Sequence, residues 1–266
     1  MVSFVAKGRM GNFMFIAAAA YMYSIRNHLH FHVPYESLAP HLWPVYLQHL
    51  QNENWNPDLE RIYVNDDGHK YKPLPYKEEW KDKNIIIGTQ SVETGYFQSY
   101  KYTENYLQTI RFMFGFQFKK QYGTVGIHVR RGDYLNYPDK HPVVTAQYIL
   151  YSVNDLKKSG ARIYKYKFFS DDIAWCKEFF LYNPDVFKGY TVEFSEGKTE
   201  YEDMEELMNC QFLVISNSSF SVFSAMLNPH PEKKVYCPHE DNYFGIENKH
   251  LDVSTLYPAS FLRIKY

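Results

Sequence analysis

The chain has 266 residues, of which 45% are hydrophobic, and its formal net charge is -1 at pH 7. This length suits one large domain or two of modest size, with enough apolar material for a core. The near-zero charge excludes broad electrostatic attraction to nucleic acids or anionic membranes, so no nucleic-acid partner is expected.

A strand, a loop and a helix are predicted at the N-terminus, over residues 2–6, 7–12 and 13–26. Two cations precede the apolar helix, as they do in a secretory signal. The apolar run is too short to span a bilayer, and it follows a strand and a glycine-containing turn. We therefore interpret it as a buried helix.

The loop before this helix is a weak candidate for anion binding. Gly8 and Gly11 allow backbone amides to approach an anion closely, and Asn12 offers a side-chain donor at the expected start of the helix. The spacing matches neither a dinucleotide-binding fingerprint nor a Walker A loop.

The chain is predicted to divide into an N-terminal α/β domain, residues 1–120, and a C-terminal domain, residues 121–266. The first domain is less regular and adds a strand at 84–88 and a helix at 104–114. Two facing α/β units leave a cleft between them, which is a common place for a ligand.

Strands and helices alternate regularly in the C-terminal domain, which predicts a doubly wound parallel sheet with right-handed crossovers. The predicted strands are 124–130, 165–169, 190–194, 212–216 and 234–237, and the helices between them are 145–158, 173–180, 201–209 and 220–227. In such sheets, ligands bind at the carboxyl ends of the strands.

The first strand of this domain ends in two arginines, a glycine and an aspartate, residues 130–133. A guanidinium keeps its charge and binds a phosphate with paired hydrogen bonds, so Arg130 and Arg131 are candidate phosphate ligands. A solvated arginine pair followed by an ordinary Gly-Asp turn is the alternative.

Polar side chains also follow two other strands. An aspartate such as Asp171 or Asp172 can accept two hydrogen bonds from the donor edge of guanine, or can cap the next helix. Adjacent carboxylates diverge and no third ligand is near, so no metal site is expected. Ser218 and Ser219 lie in a hydroxyl-rich turn that opens a helix, where a phosphate is favoured. Together these loops suggest a metal-free site for a nucleotide diphosphate.

Four motifs resemble those of the family 11 glycosyltransferases, the inverting α-1,2-fucosyltransferases that use GDP-fucose. Residues 128–134 match HxRRGDY fully, and residues 169–176 match FSDDxxWC. Residues 203–221 resemble the DMxLM and ISNSSFS segments, and residues 8–18 resemble GxLGNQMFQYA. Phe13 departs from the usual glutamine, and residues 222–224 depart from Trp-Trp-Gly.

This resemblance implies a GT-B-like α/β fold with two Rossmann-like lobes and a cleft between them. The donor would lie mainly in the C-terminal lobe, without a metal ion or another cofactor. Arg130 would bind the β-phosphate, and Arg131 would support that loop. The other implied donor-binding residues are Ser218 and Ser219 for phosphate, Asp172 or Asp171 for guanine, and Gly11 and Asn12 from the N-terminal lobe.

Two roles stay open within the resemblance. His128 would contact the nucleotide, orient the arginine loop or be a buried structural histidine. Asp133 is a candidate base for the acceptor hydroxyl, and turn geometry with an arginine ion pair is the alternative. The transition state has oxocarbenium character, so stabilising the leaving group matters more than full deprotonation.

The implied enzyme moves L-fucose from GDP-fucose to the 2-hydroxyl of a terminal galactoside. A transferase for another nucleotide sugar and a non-catalytic nucleotide- or glycan-binding module are the alternatives.

Three distant cysteines argue against a disulfide framework and for a reducing compartment. We expect a cytoplasmic protein without a transmembrane span, and loose peripheral association with a membrane is the alternative.

Overall fold

The computed structural model describes residues 1–34, 55–66, 70–90 and 94–266. The chain forms two compact units, Met1–Phe116 with Leu251–Tyr257 and Gln117–His250 with Pro258–Tyr266.

The predicted division at residue 120 assigned the segment 251–257 to the second domain, but this segment packs in the first unit. The Tyr100 amide donates to the Thr255 carbonyl at 3.0 Å, and the Ser99 hydroxyl donates to Thr255 Oγ1 at 2.9 Å. The segment therefore returns to the N-terminal unit, which local sequence pattern does not reveal.

The first unit contains a three-stranded parallel sheet with the order β1-β3-β2. Its elements are β1 (Val2–Phe4), α1 (Met10–Arg26), β2 (Arg61–Val64), β3 (Asn84–Ile87) and α2 (Leu107–Met113). The central strand β3 is buried along its whole length. The predicted helix at 104–114 begins with a 3-10 turn, Glu104–Tyr106, before α2.

Helix α1 is buried on most of its surface, since 13 of its 17 residues are buried. A helix that is apolar on nearly every side belongs in a core, so the prediction of a buried helix is confirmed. It begins at Met10, three positions earlier than predicted, and Gly11 lies inside it.

The second unit contains a six-stranded parallel sheet with the order β6-β5-β4-β7-β8-β9. Its strands are β4 (Gln121–Val129), β5 (Lys165–Ser170), β6 (Thr191–Phe194), β7 (Cys210–Val214), β8 (Lys234–Pro238) and β9 (Leu262–Ile264). The helices are α3 (Ala146–Lys158), α4 (Ile173–Tyr182), α5 (Pro184–Phe187), α6 (Glu200–Asn209) and α7 (Ser219–Leu227).

The predicted doubly wound sheet of the second unit is confirmed. Val125, Ile127 and Val129 of β4 are fully buried and belong to the core of this unit. Helices α3 and α6 begin at threonine caps, because Thr145 Oγ1 accepts from the Tyr148 amide and Thr199 forms a capping box with Glu202. Strand β9 and helix α5 are additions to the predicted elements.

Within the described residues, no helix is both long and apolar enough to cross a membrane. The thiols of Cys176, Cys210 and Cys237 are free and buried.

Candidate active site

The second unit has a topological switch point between β4 and β7. Counted from β4 as the first strand, the sheet order is 3-2-1-4-5-6. The chain leaves β4 toward one edge of the sheet and leaves β7 toward the other, so the loops after these strands diverge. Ligands bind at such a crevice in open parallel sheets. The loops concerned begin at Arg130 and Ile215.

Arg130 emerges at the carboxyl end of β4 with its side chain almost buried. Its Nη1 lies 2.7 Å from Asp171 Oδ2, and its Nη2 forms an ion pair with Asp133. The guanidinium carbon is also 5.3 Å from the centre of the Tyr134 ring. Two carboxylates and an aromatic face therefore hold the planar donor group in one place.

Arg131 is anchored in a different way. Its Nε donates to Asp172 Oδ2 at 2.9 Å, and its guanidinium carbon lies 4.6 Å from the centre of the Trp175 ring. Its backbone amide donates to Asp171 Oδ1 at 2.9 Å. These contacts tie the loop after β4 to the start of α4, which is a supporting geometry.

Asp171 and Asp172 both bind the arginine loop. Asp172 also caps α4, since its Oδ1 accepts from the Trp175 amide at 3.1 Å. Burial pushes the pKa of Asp172 upward, but the hydrogen bonds from Arg131 and the Trp175 amide outweigh it and hold that pKa below its usual value. Both carboxylates thus accept hydrogen bonds from the arginine loop, and Asp172 also accepts one from a helix amide. Across the described part of the chain, no three His, Cys, Asp or Glu side chains are grouped as metal ligands.

His128 joins the two strands that flank the switch point. Its Nδ1 lies 2.8 Å from Ser216 Oγ, and its ring stacks on Phe220 with the ring centres 5.1 Å apart. Burial, reinforced by the charge of Arg130, lowers the pKa of His128 to about 3. The ring is therefore neutral near pH 7 and connects the end of β4 to the turn after β7.

Ser218 and Ser219 lie where that turn enters α7. Ser218 is the N-cap residue, but its hydroxyl does not accept a hydrogen bond from the helix amides. The Ser221 hydroxyl instead turns back to the carbonyls of Ser216 and Ser218, at 3.3 Å each. The first amides of α7 have no intrahelical partner, and the helix dipole favours an anion at this end.

Two further residues, Tyr134 and Asn217, hold the loops of the site in place. The Tyr134 ring contacts Arg130 and stacks on His141 with a centroid distance of 4.8 Å. Asn217 Nδ2 donates to the carbonyls of Pro142 and Tyr243, at 2.8 and 2.9 Å. Both belong to the matched motifs, which was the available signal, but their partners are distant in sequence.

Gly11 and Asn12 belong to the first unit and are the second and third residues of α1. The N-cap is Arg9, so Asn12 lies in the first turn of the helix, as expected, without being its cap residue. Asn12 Oδ1 accepts from Gln98 Nε2 at 2.6 Å. Gly8 has a φ of +73°, which favours glycine, and makes the turn before the helix.

Two α/β units, each built on a parallel sheet, are the architecture of the GT-B glycosyltransferases. The structure of a point mutant of Arabidopsis thaliana FUT1 in complex with GDP has this fold. It aligns with a TM-score of 0.50 and 11% identity over 92% of this chain and 73% of that one.

A family model described as "Glycosyl transferase family 11" matches residues 90–247. This span is more than half of the chain and contains the arginine, aspartate and serine loops. The chain therefore belongs to glycosyl transferase family 11, and the resemblance seen in the sequence is confirmed.

Two Escherichia coli proteins are similar to this chain over part of its length. An α-1,2-colitosyltransferase is 36% identical over 108 residues, which are 39% of this chain and 36% of that protein. The O-antigen biosynthesis glycosyltransferase WbnK is 30% identical over 130 residues, or 47% of this chain and 41% of that protein. The matches thus span well under half of either relative.

Proposed function

We propose that this chain is an inverting glycosyltransferase that moves L-fucose from GDP-fucose to the 2-hydroxyl of a terminal galactoside, without a metal ion. One observation carries the proposal. Arg130 and the start of α7 follow the two strands of the switch point, and the contact between His128 and Ser216 joins those strand ends. A guanidinium and free helix amides at one crevice are suited to a diphosphate.

The chemistry follows from this placement. The acceptor hydroxyl attacks the anomeric carbon on the face opposite the nucleotide, and the bond from that carbon to the β-phosphate oxygen breaks. The electron pair goes to the diphosphate, whose growing negative charge Arg130 and the α7 amides stabilise. The hydroxyl proton passes to a carboxylate, for which Asp133 is the candidate, or to water.

Guanine is the base that best suits this carboxylate, because its N1 and amino groups form a donor edge. A carboxylate has about four acceptor positions, so Asp172 can bind Arg131 and still accept from the guanine N1 and amino groups. The fold shared with a GDP-bound FUT1 supports this choice of nucleotide. Family 11 membership supports the fucosyl group, and the buried free thiols suit a reducing cytoplasm.

A colitosyl donor is the second candidate, because one of the similar proteins is an α-1,2-colitosyltransferase. Colitose is L-fucose without its 3-hydroxyl, so the two donors differ by one hydrogen-bonding group on the sugar. A site that hydrogen-bonds this hydroxyl discriminates strongly against the sugar that lacks it.

The decisive assay incubates the protein with GDP-fucose and a lactose-type acceptor, with and without a chelator, and determines the linkage of the product. We expect α-1,2-linked fucose in both samples. Transfer lost with chelator and restored by Mg²⁺ or Mn²⁺ would contradict the metal-free mechanism. Transfer from the colitosyl donor alone would favour the second candidate, and GDP binding without turnover on any acceptor would indicate a non-catalytic module.

A further inference from the structure

The two carboxylates that bind Arg130 differ in how firmly they are held. Asp171 binds Arg130 Nη1 through Oδ2 and accepts the Arg131 amide through Oδ1, and its side chain is 23% exposed. Asp133 is bonded to Arg130 Nη2, and its side chain is 51% exposed. Asp171 is therefore a fixed partner, whereas Asp133 is half in solvent.

Gly132 reinforces this difference. A Cβ built on Gly132 would lie 2.2 Å from Asp171 Oδ2, so the backbone of the arginine loop packs directly on that carboxylate. Asp171 thus packs against the loop and is bonded to it through both carboxylate oxygens. Asp133 begins a 3-10 turn, Asp133–Asn136, and its side chain can leave Arg130 by rotation about its own bonds.

A diphosphate that binds Arg130 brings a third anion to a guanidinium that two carboxylates already share. Like charges a few ångströms apart repel, most strongly where solvent is partly excluded, and the Arg130 side chain is only 11% exposed. Releasing the carboxylate that is more exposed to water costs less free energy, because water solvates its charge again. By this reasoning Asp133 leaves and Asp171 stays.

We propose that Asp133 is a displaceable counterion of Arg130. In the absence of donor the Asp133 carboxylate binds Arg130 Nη2, and the nucleotide diphosphate replaces it there. The inference rests on the proposed function, in which Arg130 binds the β-phosphate of the donor. It adds an order to the reaction. The Asp133 carboxylate becomes available to the acceptor hydroxyl only after the donor is bound.

Calorimetric titrations with GDP test the inference, because it predicts opposite changes in GDP affinity when either of two aspartates is replaced. Asp133→Asn removes a competing anion, so GDP should bind about two- to fivefold more tightly, the range that corresponds to one exposed ion pair. Asp171→Asn loosens the arginine itself, so GDP should bind about tenfold more weakly or worse. Asp139→Asn removes one exposed charge from the segment that follows the 3-10 turn and should leave GDP affinity unchanged.

Inorganic pyrophosphate, titrated in parallel, separates this inference from the choice of nucleotide. Pyrophosphate binding that Asp133→Asn strengthens, without any GDP binding, would support the counterion role and contradict the guanine assignment. Weaker GDP and pyrophosphate binding in Asp133→Asn, with native circular dichroism, would show that this carboxylate positions Arg130 and would overturn the inference. Equal tightening in Asp139→Asn would also overturn it, because the effect would then be one of net charge.

Discussion

The Tyr134 hydroxyl donates to the Asn217 carbonyl at 3.1 Å. The loop after β4 is therefore bonded directly to the turn between β7 and α7, residues 215–218, across the switch point. The same ring faces the Arg130 guanidinium. Tyr134→Phe keeps the aromatic face and removes the hydrogen bond. We expect GDP affinity to fall by about three- to tenfold, the value of one hydrogen bond of about 1 kcal/mol. Calorimetric titration measures the affinity, and unchanged binding would show that the two loops are held together by other contacts.

Removal of the Arg130 guanidinium should abolish most of the activity. Arg130→Ala should lose about 2–4 kcal/mol of transition-state stabilisation in kcat/KM, the scale for one preorganised donor at a developing negative charge. Arg130→Lys keeps the charge without the planar fork and should recover only part of the loss. Steady-state fucosyl transfer measures both variants. Near-wild-type activity in Arg130→Ala would contradict the assigned role.

The neutral His128 makes the free energy of unfolding depend on pH. Its folded pKa of about 3 lies below the unfolded value, so only the unfolded chain gains a proton at this residue as the pH falls. The stabilisation is complete above about pH 6.5 and is lost progressively toward pH 3. Between pH 7 and pH 5, the free energy of unfolding of His128→Asn should therefore fall by about 2 kcal/mol less than that of the wild type. Urea unfolding at the two pH values measures both decreases. Equal losses in the two proteins would indicate that His128 is protonated in the folded chain.

The strands that the sequence predicted best are those with a buried apolar alternation. Strand β4 covers Gln121–Val129, against a prediction of 124–130. The prediction came close because Val125, Ile127 and Val129 form one buried apolar face. Strands β2 and β9 were missed. Each is an edge strand of three or four residues with mostly exposed or half-exposed side chains, so neither shows an apolar pattern.

The sequence predicted where the loops of the candidate site lie along the chain, but not the ion pairs and hydrogen bonds between these loops. Arg130 and Asp171 are far apart in sequence and each was assigned to a ligand, phosphate in one case and guanine in the other. Their ion pair depends on the pairing of β4 with β5, which aligns Val129 with Ser170. Sequence periodicity predicts both strands and carries no information about which strands are neighbours.

Gly132 should tolerate no side chain, because Asp171 occupies the space that a Cβ at this position would need. In Gly132→Ala the new methyl group would have to push back Asp171 Oδ2, 2.2 Å from its ideal position, and would strain both bonds from that carboxylate to the arginine loop. We expect a lower melting temperature and GDP affinity reduced by about tenfold or more. Gly160→Ala is the control, since it meets no atom within 4 Å and costs stability only through a φ of +75°. It should lower the melting temperature and leave GDP affinity intact, so a loss of affinity in both variants would point to general destabilisation instead of a displaced Asp171.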